Sequence, residues 1–499
     1  MFTVRLYRRF QLFIAYPLLE LSHRLLTLRF FPGKAPSVNE ETPPLFSLIM
    51  PVYNPRRTHL KAALRSIRRQ TFPRWELCLA DDASRASWVK PYLMKMAGKD
   101  PRIRPVFRRE NGHISRASNT ALETARAPWL VLMDQDDLLH PGALETVKTA
   151  VEAHPRGRLF YSDEDKVGWG GLRFEPCFKS AYDPVLLTGQ NCISHLGVYH
   201  RELVLKVGGF RAGYEGSQDW DLALRCTAAL DNDQMVHIPR VLYSWRVHRQ
   251  SAAARKNPKP YALGASIKAV EEAVNSPGGS LMRQAEKIPG PTSYLSLRAP
   301  GFTDSPGVRL FENGFAVDPR SPRYRELSNL AEAAVVHESL VVPSLIEPLS
   351  RRITSGGVSF HPGDNSLIPL LQNQDARHPG YFGIGILSRR VMSFIPSLYA
   401  VTEELFRQIP ENLRHPLDSL EALKLSLFLR HLGRPPVWAA NLRYRTVHSH
   451  GASALSEKTI LNLKRRWGND ALSDPYLHSC LIPGGGLKFR LGVNLFPNS

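Results

Sequence analysis

Cysteine is scarce: five residues in 499 (Cys78, Cys177, Cys192, Cys226, Cys480), widely spaced, with no CxxC pair and no metal-ligand spacing. That excludes a disulfide scaffold and a cysteine-held zinc site, and it favours a reducing compartment. Long apolar runs are missing too. A spanning helix needs about 20 nearly uncharged apolar residues. The nearest approach, residues 10–19, contains Gln11 and Pro17 and is followed by Glu20, His23 and Arg24. It also lacks the small-residue cleavage site of a signal peptide. Acidic residues are outnumbered, 45 Asp and Glu against 65 Lys and Arg, giving a formal charge of +20. Such an excess raises nucleic acid as a partner. The chain has no zinc-finger spacing, no aromatic RNA-binding signature and no basic run of five or more, so no nucleic-acid partner is expected.

With 43% hydrophobic residues the chain can bury a large core, and its length allows about two or three domains. Residues 1–40 carry Arg5, Arg8, Arg9, Arg24, Arg29 and Lys34 against Glu20 and Glu40, interleaved with Phe2, Leu6, Phe13, Leu18, Leu25 and Phe30. This composition suits an interfacial helix on an anionic membrane, the alternative being an amphipathic helix docked on its own protein.

From residue 45 strands and helices alternate. Residues 45–50 form a short apolar run stopped by Pro51, and residues 59–70 carry leucine and alanine at helical spacing. Residues 76–80 read as a second strand, 102–108 as a third, 118–125 as a helix opened by a serine cap at Ser118, and 129–133 as a fourth strand. The rhythm predicts an α/β fold with a mostly parallel, Rossmann-like sheet. Ligands of such sheets collect at the carboxyl ends of the strands. Pro51-Val-Tyr-Asn54, Asp81-Asp82 and Asp134-Gln-Asp-Asp137 all lie there.

Crowded carboxylates repel one another and are costly to desolvate. A divalent cation resolves the conflict: Asp134 and Asp136, in a D-x-D turn after a buried strand, offer hard oxygen ligands for Mg²⁺ or Mn²⁺ carrying a substrate diphosphate. A further cluster, Glu215-Gly-Ser-Gln-Asp-Trp-Asp-Leu222, opens a helix. Carboxylates there are favoured as anions by the helix dipole and can act as an N-cap or as a general base.

Residues 46–54, 79–84, 111–119, 132–137, 161–166, 215–222 and 243–248 resemble, in order, the motifs of family 2 glycosyltransferases with the GT-A nucleotide-diphospho-sugar transferase fold. The subgroup is the bacterial, rhamnosyltransferase-like one of O-antigen and surface-polysaccharide synthesis. The resemblance implies that Pro51, Tyr53, Asn54, Asn111 and Gly112, with Asp81 or Asp82, hold the donor nucleotide. It implies a metal on Asp134 and Asp136, with His248 completing the site, and Asp219 as catalytic base. Asp137, Asp163, Glu164, Asp165, Lys166, Gln218, Trp220 and Asp221 would line the sugar or acceptor pocket. Two departures stand out: Gln218 replaces a usual Glu, and Ala117-Ser-Asn119 replaces an Ala-Arg-Asn. The expected chemistry is inverting transfer from a nucleotide-diphosphate sugar to a glycan or lipid-linked acceptor, in the cytoplasm and peripheral on the inner face of the membrane, alongside glycan-assembly proteins. The alternatives are a silent glycan-binding scaffold and a sugar-phosphate nucleotidyltransferase. The second would want a Gly-rich phosphate loop where Pro51-Val-Tyr-Asn54 stands.

A Ser, Pro and Gly-rich stretch at 275–290 suggests a boundary near 285, giving segments 1–40, 41–285 and 286–499. Residues 344–358, 381–390 and 466–476 resemble parts of a second, degenerate GT-A-like domain. Residues 218–224 align with 421–427, and Val247-His248 with Val447-His448. Ala422 then stands at the base position and Lys424 at the next carboxylate, so this part is expected to be non-catalytic.

Overall fold

The computed structural model describes residues 42–168, 171–247, 260–275, 282–288, 294–299, 307–312, 315–347, 352–355, 357–361, 365–370, 387–416, 418–445, 453–476, 481–482 and 490–491. The basic segment 1–40 lies outside them. Two units divide the chain: Met1–Tyr182, Asn191–Ala273 and Pro291–Ser293 make one, and Asp183–Gln190, Val274–Gly290 and Tyr294–Ser499 the other.

The first unit is built on strands β1 (Phe46–Val52), β2 (Trp75–Asp81), β3 (Ile103–Phe107), β4 (Trp129–Leu132), β5 (Leu138–Leu139), β6 (Leu159–Val167), β7 (Arg173–Cys177), β8 (Gly197–His200) and β9 (Met235–Arg246). They form one sheet in the order β3-β2-β1-β4-β8-β6-β9-β5, with β7 beside β6. The strands β3, β2, β1 and β4 run parallel. Beyond them β8 pairs antiparallel with both β4 and β6, and β6 is parallel to β9. This is the α/β, GT-A-like architecture that the motifs imply. Its parallel half is apolar on both faces because helices cover it. The helix Arg57–Arg68 turns Leu60, Ala63, Leu64 and Ile67 inward, at helical spacing, against this core.

Two sequence expectations need correction. Pro51 does not stop the first strand: β1 continues to Val52, with Pro51 opposite Ala80 of β2. The reason lies in the other neighbour. Ile49 accepts from Met133 N, and the pairing with β4 ends at Ile49–Leu132, so the side to which Pro51 would donate carries no further ladder. Ser118 does not cap a helix either. That helix is His113–Glu123, entered at Gly112, and Ser118 is buried in its interior. Alanines and serines carry the buried face, so apolar spacing alone placed the start too late.

Glu76 is a charge inside β2, 1% exposed. It accepts from Ser47 Oγ (2.7 Å), Arg126 N (2.7 Å), Arg126 Nε (2.9 Å) and Arg104 Nη1 (2.8 Å), tying β1, β2, β3 and the approach to β4 together. Burial opposes its ionisation, but these donors outweigh it and hold its carboxyl below the usual range.

In the second unit Val308–Glu312 pairs antiparallel with Leu398–Thr402, which pairs antiparallel with Val341–Ile346, itself parallel to Val437–Arg445. The same succession links β4, β8, β6 and β9. The intervening helices match as well: Ser328–His337 for Ala143–Ala153, Glu403–Gln408 for Arg201–Lys206, and Ser419–His431 for Gln218–Ala228. Both parallel pairs carry a register shift, after Pro343 in one and around Asp163 in the other. Among the described residues nothing occupies the place of β1, β2 and β3: the sheet ends beyond Val308–Glu312 at the two-residue strand Phe315–Ala316. Val447 and His448 lie outside the described residues, as do residues 381–386. Among the described residues no helix is long and apolar enough to cross a membrane.

Replacing Glu76 by Ala should lower unfolding stability at pH 7 by about 1–3 kcal/mol, because Ser47 Oγ and Arg126 N lose their buried acceptor while the two arginines, partly exposed, can be solvated. Since the folded pKa is depressed, the wild-type advantage is present above the unfolded value of about 4.5 and is lost as pH falls below it. Denaturant titrations at pH 7 and pH 4 check this; equal midpoints at pH 7 would contradict it.

Candidate active site

Three loops after β1, β2 and β4 are laced together by side chains of the motifs. Tyr53, 38% exposed, is fixed through its backbone: Gln135 Oε1 accepts from Tyr53 N (3.0 Å) and Gln135 Nε2 donates to Tyr53 O (3.2 Å). The middle residue of the D-x-D turn therefore pins the loop after β1. Asn54 sits at φ 42°, a conformation asparagine tolerates better than most side chains. Its N–H donates to Ser84 Oγ (2.9 Å) and its Oδ1 accepts from Arg85 N (2.8 Å), joining the loops after β1 and β2.

The two adjacent aspartates at the end of β2 have different surroundings. Asp82 is buried and accepts from Arg108 Nε (2.8 Å), Asn111 Nδ2 (2.8 Å) and Gly112 N (2.9 Å). It clamps the loop that carries Asn111 and Gly112. Asp81 is also buried, but its Oδ1 has no hydrogen-bond partner, and burial raises its proton affinity. An orphaned buried acceptor of this kind is suited to a ligand N–H.

The D-x-D region is where charge is concentrated. Asp137 is 1% exposed and accepts from Tyr243 Oη (2.7 Å) and Arg246 N (2.7 Å). Tyr243 also accepts from Asp134 N (3.2 Å), and Arg246 Nε donates to the carbonyl of Asp136 (2.5 Å). These partners are delivered by the end of β9, where Tyr243 lies opposite both Leu139 of β5 and Glu164 of β6. Burial, then the charges of Asp134 and Asp136, push the Asp137 carboxyl well above the ordinary range. The half-buried Asp134 carboxyl is raised to about 6, first by burial; His195 opposes this, and Asp136 and Asp219 add to it. The charge of Asp219 thus reaches Asp134, and the two share one neighbourhood. Asp219 lies in the first turn of the helix Gln218–Ala228 and accepts from Asn191 Nδ2 (2.9 Å).

Ligand atoms of Asp134, Asp137 and His195 all lie within 4.8 Å of one another. Two carboxylates and an imidazole, with the proton affinity of both carboxylates raised, fit a divalent cation by donor chemistry and by uncompensated charge. Asp136 is outside that group. His248 lies outside the described residues.

The remaining pocket candidates are held in ion pairs and turns. On β6, Asp163 and Asp165 point to the buried side. Asp163 accepts from Lys179 N (2.8 Å) and pairs with His237 Nε2 (2.8 Å), and Asp165 pairs with Arg173 (2.5 Å). On the other side Lys166 meets Glu175 (2.7 Å), and Glu164 takes the backbone N–H of His195. Gln218 Oε1 accepts from Gly216 N (2.8 Å), holding the turn before its helix. Trp220 is buried, and Asp221 is clamped between Arg211 Nε (3.1 Å) and Arg225 Nη2 (2.6 Å). These contacts anchor the cradle: Asp163, Asp165, Trp220 and Asp221 face inward. Sequence reasoning missed His195 and Asn191. They sit in a loop without periodicity, and the only signal available was polar residues four apart just before the apolar strand β8.

Residues 47–208 match the family described as Glycosyl transferase family 2. An uncharacterised protein of Sinorhizobium fredii is 48% identical over 229 residues, 46% of this chain and 25% of that protein. An O-antigen biosynthesis protein of Myxococcus xanthus is 31% identical over 319 residues, 61% of this chain and 25% of that protein. The chain therefore spans about a quarter of the length of each of these two relatives. Among solved structures, S. aureus TarS 1-349 is similar at a TM-score of 0.37 and 15% identity, over 46% of this chain and 65% of that one.

In cation-free protein the crowding at Asp134 is a cost. Its folded pKa is raised, so the wild-type penalty is absent below the unfolded value of about 3.9, grows as pH rises and is complete above about 6. Asp134→Asn should raise stability at pH 8 by about 1–3 kcal/mol, with the gain vanishing towards pH 4. Denaturant midpoints in chelator check this, and a loss of stability at pH 8 would contradict it.

Proposed function

We propose that the chain is a cation-assisted, inverting glycosyltransferase that moves a sugar from a nucleotide-diphosphate donor to a glycan or lipid-linked acceptor in bacterial surface-polysaccharide synthesis. The observation that carries the reading is the placement of Asp219 within electrostatic reach of Asp134, which itself shares a cation-sized cluster with Asp137 and His195. The family match over residues 47–208 and the identity to an O-antigen biosynthesis protein support glycosyl transfer in surface-polysaccharide synthesis; the rhamnosyltransferase-like subgroup rests on the motif resemblance.

The roles proposed are those the motif resemblance implies, set on this geometry. Tyr53 and Asn54, braced by Gln135 and Ser84, form the floor for the nucleotide. Asp81, with its orphaned Oδ1, accepts from the base, while Asp82 holds the Asn111-Gly112 loop in place. Asp134 and Asp136 face the diphosphate. A divalent cation held there supplies charge neutralisation for the departing nucleoside diphosphate. Asp219, oriented by Asn191, takes the proton of the acceptor hydroxyl as that oxygen attacks the anomeric carbon from the face opposite the leaving group. A single displacement inverts the configuration. Residues 1–40 place the enzyme on the inner face of the cytoplasmic membrane through their basic and aromatic composition, near other glycan-assembly proteins.

The C-terminal unit is read as a degenerate, non-catalytic relative of the first, with the three segments divided as 1–40, 41–285 and 286–499. Support comes from the repeated strand succession without counterparts of β1, β2 and β3 among the described residues, and from Ala422, fully buried, at the position aligned with Asp219. With no counterpart of the nucleotide floor among the described residues, it is read as taking no donor and as positioning the acceptor, packing on the first domain or mediating assembly.

Asp219→Asn should cut transfer by about 10²–10⁴-fold while calorimetric binding of the donor with Mn²⁺ is unchanged and saturates at one donor per chain. Turnover at the wild-type rate would overturn the base assignment, and two donor sites per chain would overturn the silent reading of the second unit.

A further inference from the structure

The His195 loop is more firmly built than a connection between elements requires. The buried Lys179 ammonium donates to the carbonyls of His195 (2.7 Å) and Ile193 (3.4 Å), and the same Nζ lies 3.5 Å from Glu164. Glu164 accepts the backbone N–H of His195. Asn191 Oδ1 accepts from Ser194 N (3.3 Å), so the side chain that orients Asp219 also shapes this loop. The imidazole stacks on Tyr243, with ring centroids 4.8 Å apart and planes 17° from parallel. Ser194 Oγ lies 2.9 Å from Nδ1, which engages one ring nitrogen and leaves one for another partner. Tyr243 in turn holds Asp137 and accepts from Asp134 N. The ring is thus fixed in position, stacked on the residue that fixes the carboxylates.

We infer that His195 is a nitrogen ligand of the active-site cation, sharing it with Asp134. This rests on the reading of the site as cation-dependent. The ligand atoms of His195, Asp134 and Asp137 already lie within 4.8 Å of one another, close to the span that oxygen and nitrogen ligands bridge across one ion with bonds of about 2.0–2.3 Å. Asp137 is the less available carboxylate, because each of its oxygens already accepts a short hydrogen bond. It supports the loop while Asp134 and His195 face the ion. An imidazole among carboxylates shifts preference from Mg²⁺ towards Mn²⁺, since Mg²⁺ is suited by oxygen donors and imidazole suits later transition metals. The position also explains why a loop in the middle of the chain is braced by three neighbours: a ligand must be held at a fixed distance whether or not the ion is present.

The test uses the full chain with Mn²⁺ and inorganic pyrophosphate, which brings no nitrogen of its own. Pulsed electron paramagnetic resonance should show ¹⁴N modulation on Mn²⁺, converted to the ¹⁵N pattern when the protein is labelled with ¹⁵N-histidine. H195Q should lose the modulation and bind Mn²⁺ at least about 10-fold more weakly, with a smaller change for Mg²⁺ and an unaltered circular dichroism spectrum. Wild-type protein that binds Mn²⁺ without nitrogen modulation overturns the assignment with no variant needed. Modulation that survives H195Q overturns it too, by moving the nitrogen to another histidine. Wild-type protein that binds no Mn²⁺ with pyrophosphate present refutes the cation-dependent reading itself, a result distinct from either of the others.

Discussion

Carboxylates crowd the carboxyl end of β4, and much of the N-terminal unit is arranged to tolerate them. Asp134, Asp136 and Asp137 follow a buried strand within four residues, and Asp219 adds its charge from the helix that opens nearby. Left alone, such a group would take up protons or push apart. Instead Tyr243 and Arg246, at the far end of β9, donate to Asp137 and to the Asp136 carbonyl, and Gln135 ties the turn to the loop after β1. The residual strain appears as the raised proton affinities of Asp134 and Asp137. Such a concentration of carboxylate charge fits a divalent cation by donor chemistry.

The two ends of the sheet divide the labour. The parallel half carries Tyr53, Asn54 and Asp81 at its strand ends and is locked by the buried Glu76 network. The other half, from β8 to β9, and its loops carry Asn191, His195, Asp219, Tyr243 and Arg246. The succession that recurs in the C-terminal unit among the described residues is β4 with this second half, without β1, β2 and β3. The core cluster around Leu330, Val341 and Val437 is built from hydrophobic residues.

Much of this was legible in the sequence because runs such as 48–50 and 77–80 are apolar on both faces, and polar clusters at their ends mark a ligand edge. The D-x-D turn, the Asp81-Asp82 pair and the acidic cluster at 215–222 could be picked out by residue type and position, whereas Asp219 was singled out only through the family resemblance. What was not legible depended on pairing across the sheet. Asp82, Asp163 and Asp221 look in sequence as available as Asp81, and only their arginine, histidine and backbone partners, 4 to 74 residues away, show that they are anchors. His195 was invisible for the same reason: its place beside Asp134 is set by β8 and β9, not by its neighbours in the chain. Pro51 misled because its effect depends on which side of β1 the adjacent strand ends.

Crystals grown with Mn²⁺ and a nucleoside diphosphate, measured at the manganese absorption edge, test the central claim most directly. The account predicts one strong anomalous peak in the N-terminal unit, between Asp134 and the diphosphate and on the side of the cavity that Asp219 faces. A diphosphate bound without a peak there, or a peak remote from Asp134, would contradict it.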